Sequence, residues 1–227
     1  MSLRPKPVIM PRQRRTRSPQ QPPRRLGGFL FEPQLLDKIN RLTRSPTNRE
    51  FLILCDRSPE GAFKIRKTIS GNANEVVHSS VDHDFHNHTS RWSFARWAQA
   101  IDHEGVPQAQ RDFFRDQRNI HLQPSVEDVV VWASRHRSYN PKAHGISALN
   151  LDDDKRIRVH LKVYDLSRLT EKEMLHIHAT ALSYLPTQLG ALRTQEDIMQ
   201  QMDRQYRFLH EPEIQRLNQI AEEVVLD

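Results

Sequence analysis

The sequence is short of several things, and each shortage excludes something. It holds one cysteine, Cys55, in 227 residues, which rules out an internal disulfide framework and any thiolate-rich zinc site. A lone thiol suits a reducing compartment. No stretch reaches the ~18 uninterrupted apolar residues that a bilayer span requires, and no secretory apolar segment stands near the N-terminus. The expectation is an intracellular protein, cytoplasmic or nuclear, with no membrane partner. Acidic residues are missing altogether from residues 1–25, which carry eight Lys or Arg. Glycine is missing after Gly190, which suits a helical C-terminal region.

The formal net charge of +6 points at first to a nucleic-acid binder. Position changes that reading. With the eight bases of the first 25 residues set aside, the remaining 202 carry 26 bases and 28 acids, a net of −2. The basicity belongs to a tail, which also holds six of the 14 prolines. Such a segment cannot bury enough surface to offset its ordering entropy, so residues 1–26 are expected to be disordered. The run PRQRRTR (11–17) reads as a contact for nucleic acid or an acidic surface, as a nuclear signal, or as a solubilising tail without a specific partner. Its prolines argue against a mitochondrial presequence.

The folded part is expected to begin near Gly27-Gly28. Leu35, Leu36, Ile39 and Leu42 lie at helical spacing and predict a helix over 29–42. EFLILC (50–55) reads as a buried strand. FKIRKTI (63–69) alternates with period two, and EVVHSSV (75–81) follows as a further strand. A helical or mixed stretch runs from Trp92 to about Arg118. Pro124 and Ser125, with acids in the next turn, signal the start of a helix over 125–137. HGISAL (144–149) and RIRVHLKVYDL (156–166) are two more strands. Helices are expected at about 170–184, 194–209 and 212–225. The fold class is α+β: a curved, mostly antiparallel sheet flanked by helices, with a helical extension from 169 to 227.

Three groups of residues suggest chemistry. His86-Asn87-His88, placed on a strand, sends both imidazoles to one face, where they can share a metal. A catalytic zinc site needs a third protein ligand, for which Asp128, Asp84 and Asp102 compete. In a chain with 12 histidines the spacing also arises by chance. His176-Ile177-His178 has the same spacing in a helical pattern, where i,i+2 side chains diverge, and is read as structural. Ser125 and Asp128 form a capping pair that would hold first-turn side chains rigidly. Glu50 opens the apolar strand, either as a surface glutamate or as a general base beside a metal-activated water.

Taken together, Glu50, His86-Asn87-His88 and Ser125-Val126-Glu127-Asp128 resemble the signature of the JAB/MPN (JAMM) metalloprotease family. NREFLILC is similar to that family's E-x-x-G-x-L strand without its glycine, and HDFHNHT to its HTHP or HNHP strand. PSVEDV is similar to the PSPEDI that follows in prokaryotic members. Two features depart from the pattern: Thr89 stands in place of proline, and 36 residues separate His88 from Ser125, which requires an insertion at about 90–122. The resemblance implies a cytidine-deaminase-like sheet architecture over 27–168. It implies Zn²⁺ held by His86, His88 and Asp128, Glu50 as general base, and Ser125 as donor to the tetrahedral oxyanion. The reaction would be hydrolysis of a peptide or isopeptide bond in a protein substrate, commonly a ubiquitin-like conjugate.

Two other readings stand beside it. HDFHNHT also resembles the DxHxHT opening of PHP-type phosphoesterases, with Asp84, His86 and His88 as the match. Against that reading, about 55 foldable residues precede the motif, and the last sixty supply helices without the strands that a (β/α) barrel needs. The third reading is a non-catalytic JAB-like scaffold whose basic tail binds nucleic acid. The insertion's Trp92, Phe94, Trp97, Phe113 and Phe114 would then be a stacking or protein-binding surface, although near-helical spacing favours an ordinary packed face.

Overall fold

In a computed structural model of the chain, the described residues are 21–45, 50–71, 84–88, 101–116, 121–135, 143–151, 154, 156–185 and 194–226. The expected strand at 75–81 and the aromatics Trp92, Phe94 and Trp97 lie outside them. So does the run 11–17.

Eight strands of the described chain make one sheet. They are β1 (Arg24–Leu26), β2 (Phe29–Phe31), β3 (Phe51–Arg57), β4 (Phe63–Ser70), β5 (Phe85–Asn87), β6 (Ala143–Leu151), β7 (Ile157–Asp165) and β8 (Ala221–Leu226). Their order is β1-β2-β4-β3-β5-β6-β7-β8. Two neighbouring pairs are parallel, β2 with β4 and β5 with β6; the others are antiparallel. Among the described residues the α-helices are α1 (Pro33–Thr43), α2 (Gln108–Arg115), α3 (Val126–Arg135), α4 (Glu171–Ser183), α5 (Gln195–His210) and α6 (Pro212–Gln219).

The sheet curls until its first hairpin meets its last strand. The N–H of Gly28, in the β1–β2 turn, donates to the Glu222 carboxylate of β8. Gly27 sits at φ 58°, which a two-residue hairpin with Leu26 opposite Phe29 requires at its first central position. A Cβ there would also lie 1.9 Å from Glu222 Oε2. Inside the curl, Phe29, Phe31 and Phe63 from one end pack with Val159, Val163 and Leu226 from the other. Helix α1 adds Leu35, Leu36 and Ile39 to this core, each contributing about 1.5–3 kcal/mol by burial.

The opposite face carries a second core. Val126, Val129 and Trp132 of α3 pack against Ile146 of β6 and Tyr164 of β7, together with Met174 and Ile177 of α4 and Phe208 of α5. A third cluster joins the described end of the insertion to α5 through Ile101, Val106, Phe114, Ile198 and Met202. Phe113 and Phe114 are therefore a packed face, with Phe113 edge-on to Tyr206 at 5.4 Å.

The α+β expectation with a curved, mostly antiparallel sheet holds, with three corrections. Arg24–Leu26, placed in the disordered tail by composition, forms β1, because the glycine turn folds it back onto Phe29–Phe31. The helix expected over 29–42 is a short strand followed by α1 from Pro33, where proline suits the first helical turn. The helix expected over 212–225 stops at Gln219, and residues 221–226 pair with β7 along their whole length. Without β8 the β7 edge would present unpaired backbone groups. Among the described residues no helix is long and apolar enough to cross a membrane.

Candidate metal centre

The HxH segment lies on β5, between β3 and β6 in mid-sheet. Phe85 points into the aromatic core, tilted against Phe31 and edge-on to Phe63, so His86 and His88 turn to the opposite face, toward α3. The middle residue is also fixed: Asn87 is fully buried and its Oδ1 accepts the Phe51 N–H at 2.8 Å. The strand continues through His88, whose N–H donates to Ser147 O at 3.2 Å.

Helix α3 brings the third ligand. Ser125 and Asp128 form a reciprocal cap: Asp128 N–H donates to Ser125 Oγ at 3.1 Å, and Ser125 N–H to Asp128 Oδ2 at 2.8 Å. With Val126, Val129 and Trp132 packed on the sheet, the first turn of the helix sits over β5. His86 Nε2 is 3.3 Å from Asp128 Oδ1, and His88 Nε2 is 3.2 Å from Asp128 Oδ2. The two Nε2 atoms are 2.9 Å apart. Side-chain exposures of 7, 20 and 14 % for His86, His88 and Asp128 make this a largely desolvated group with His88 as its most open side.

Two imidazole lone pairs facing each other at 2.9 Å repel unless a proton or a cation lies between them. The three donor atoms lie within 4.8 Å of one another, and two imidazoles with one carboxylate are the donor set of a borderline-soft divalent metal. His86, His88 and Asp128 thus fit a metal ion. Burial alone would push the His88 pKa down, but the hydrogen bond and charge of Asp128, then Glu50 and the His121 carbonyl, outweigh it and raise it. Burial would likewise raise Asp128, and the charges and hydrogen bonds of His86 and His88 instead hold it well below the usual carboxylate range.

Glu50 stands beside this group. The β3–β5 register sets Leu52 opposite His86 and Ile53 opposite Phe85; two places further along, Glu50 falls opposite His88, whose pKa its charge raises. Its backbone is held on both sides, the carbonyl by Gly71 N–H at 2.9 Å and the following N–H by Asn87.

Neither competing carboxylate belongs to the group of donor atoms that lie within 4.8 Å of one another. Asp84 is fully buried, and its Oδ2 accepts the Cys55 N–H at 2.5 Å, where the β3–β4 register slips between Leu54 and Cys55. Asp102 is exposed. His176 and His178 lie on α4, exposed and half-buried, away from the centre. Sequence reasoning missed two residues. Asn87 was legible as a polar side chain in a strand whose neighbours are both needed on the other face. His121 carried no local signal. Its carbonyl accepts from the His88 ring and its own ring donates to the His88 backbone. Burial and the neighbouring His88 charge push its pKa down to about 4.

Fold and site together define an α+β protein with a buried His-His-Asp group that can hold a metal ion. No protein-family model matches the chain, and no curated protein or solved structure matches it either.

Proposed function

We propose that the protein is a zinc-dependent hydrolase of a peptide or isopeptide bond, acting on a protein substrate of the ubiquitin-like-conjugate class that the JAB/MPN resemblance implies. One observation carries this reading: the two imidazoles and Asp128 converge across 39 intervening residues, with Glu50, just before the adjoining strand, facing His88. His86, His88 and Asp128 would hold the ion. Zinc bound there supplies a Lewis acid that brings the pKa of water toward ~7. Glu50, anchored through both its neighbouring peptide groups, takes the proton of the attacking water and returns it to the leaving amine. Ser125 Oγ accepts from Asp128 N–H, and its own O–H is the donor to the developing oxyanion. The phosphoesterase alternative needs Asp84 as a ligand, and among the described residues the donor atoms that lie within 4.8 Å of one another are those of His86, His88 and Asp128, without Asp84.

Metal analysis and cleavage of a ubiquitin-like isopeptide conjugate test the proposal. The purified protein should carry about one zinc per chain, and Asp128→Asn should lose it. Glu50→Gln should keep zinc while cleavage falls about 10²–10⁴-fold. A protein that takes up no metal is the non-catalytic scaffold instead, and undiminished cleavage by Glu50→Gln removes the assigned base.

A further inference from the structure

The five residues that lead from the insertion into α3 are each tied by a hydrogen bond to the surrounding fold. His121 exchanges backbone and ring hydrogen bonds with His88. Leu122 O accepts from Tyr164 OH of β7 at 2.8 Å. Gln123 Oε1 accepts from Lys162 Nζ of β7 at 3.3 Å, and that ammonium also donates to Asn218 Oδ1 of α6 at 2.9 Å. Pro124 O accepts from Gln205 Nε2 of α5 at 3.1 Å. Ser125 N–H donates to Asp128 Oδ2 at 2.8 Å.

The last two bonds belong to one peptide group. The Pro124 carbonyl and the Ser125 N–H are opposite ends of the same plane, and that plane is rigid. The Pro124 ring fixes its own φ, and the bonds at 121–123 fix the chain's approach. The remaining freedom is rotation of the Pro124–Ser125 plane about the Pro124 ψ angle. Gln205 holds one end of the plane, so it sets where the N–H at the other end points. That N–H meets Asp128 Oδ2, the oxygen 3.2 Å from His88 Nε2. Helix α5 also carries the insertion, through Phe114 with Ile198 and Met202 and through Gln110 Nε2 to Asp203 Oδ1 at 2.7 Å. One helix of the C-terminal region therefore touches both the insertion and the peptide that aims a metal ligand.

We propose that Gln205 is a positioning residue of the metal centre, acting through the Pro124–Ser125 peptide to hold the Asp128 carboxylate in its ligating orientation. This rests on the metal-binding reading of His86, His88 and Asp128. It adds that the C-terminal helices, outside the region that resembles JAB/MPN proteins, are part of the site.

The test compares Gln205→Leu and the isosteric Gln205→Glu with a control, Gln215→Leu, in the full-length chain. Gln215 Nε2 also donates to a backbone carbonyl in this region, that of Leu209, but away from the centre. Affinities for Zn²⁺ and Co²⁺ are measured by chelator competition, with the Co²⁺ absorption spectrum and the unfolding temperature of metal-free protein alongside. Loss of such an outer hydrogen bond should weaken metal binding about 10–100-fold. Both Gln205 variants should show that loss and a shifted Co²⁺ spectrum, whereas Gln215→Leu should lower the unfolding temperature and leave affinity and spectrum unchanged. Wild-type affinity and spectrum in a folded Gln205→Glu overturn the proposal, as does an equal loss of affinity in Gln215→Leu. Failure of the wild-type chain to bind either ion overturns the metal reading beneath it, an outcome visible before any variant is made.

Discussion

Gly145 lies on β6 directly opposite Phe85 of β5, and the Phe85 ring covers it. A Cβ at this position would sit 2.3 Å from Phe85 Cδ1 and 2.5 Å from Cε1, against 3.4–4 Å for ordinary contact. The ring would have to retreat by about 1 Å. It has nowhere to go, because Phe31 lies 6.0 Å away on one side and Phe63 stands edge-on at 5.3 Å on another. Overpacking of this kind costs about 1–3 kcal/mol, occasionally more. Gly145→Ala should fall at the upper end, about 3 kcal/mol, or roughly 6–12 °C in Tm for a chain of this size. Phe85→Leu alone should cost about 1–2 kcal/mol through lost burial. The double variant should cost less than the sum by about 1–2 kcal/mol, because the smaller side chain makes room for the new methyl. Urea unfolding of the four proteins gives the cycle. The centre adds a second readout: His86 follows Phe85 directly, so Gly145→Ala should also weaken metal binding as β5 shifts from β6. A Gly145→Ala change within 0.5 kcal/mol of wild type, or strict additivity in the double variant, would refute this account of how β5 is seated.

Two further outcomes follow from buried titratable groups. Cys55 is 1 % exposed, and burial together with the Asp84 charge pushes its thiol far up; a thiol-specific reagent at pH 8 should label the native protein only at its unfolding rate, and prompt stoichiometric labelling would contradict the placement. Burial pulls the Lys162 pKa down to about 8, against the opposing charge of Glu223. The unfolded chain keeps this proton until about 10.5, so between those values the unfolded state binds more protons and stability rises with pH. Lys162→Met should remove that rise relative to wild type in urea titrations at pH 7.5 and 10; parallel slopes for the two proteins would show that the ammonium is not desolvated.

Much of the fold was legible where local and tertiary preferences agree. EFLILC, FKIRKTI and RIRVHLKVYDL alternate or run apolar as sheet strands do, and they form β3, β4 and β7. The capping boxes at Thr170 and Thr194 explain why the two long C-terminal helices begin where their sequence says. The misreadings fall where a neighbour decides. AEEVVL continues the helical-looking run after Pro212, yet its backbone groups pair with an otherwise bare β7 edge. RRL is basic and polar, and it becomes a strand through the Gly27-Gly28 turn and the closure against Glu222.

The site divides in the same way. Strand periodicity fixed that His86 and His88 share a face, and the S-x-x-D spacing fixed that Ser125 and Asp128 cap one another, because both relations are set within a few residues of backbone. Which carboxylate joins the histidines was a tertiary matter. Asp84, only two residues from His86, is turned to the Cys55 N–H, while Asp128, 40 residues beyond His88, arrives because α3 packs its apolar face on Ile146 and Tyr164. Strand pairing brings Glu50 beside His88 and helix packing brings Gln205 to the Pro124 carbonyl, and local spacing encodes neither. The scarcity of cysteine left histidine and carboxylate as the metal-binding vocabulary of this chain; folding of the sheet and its covering helices selected which of them meet.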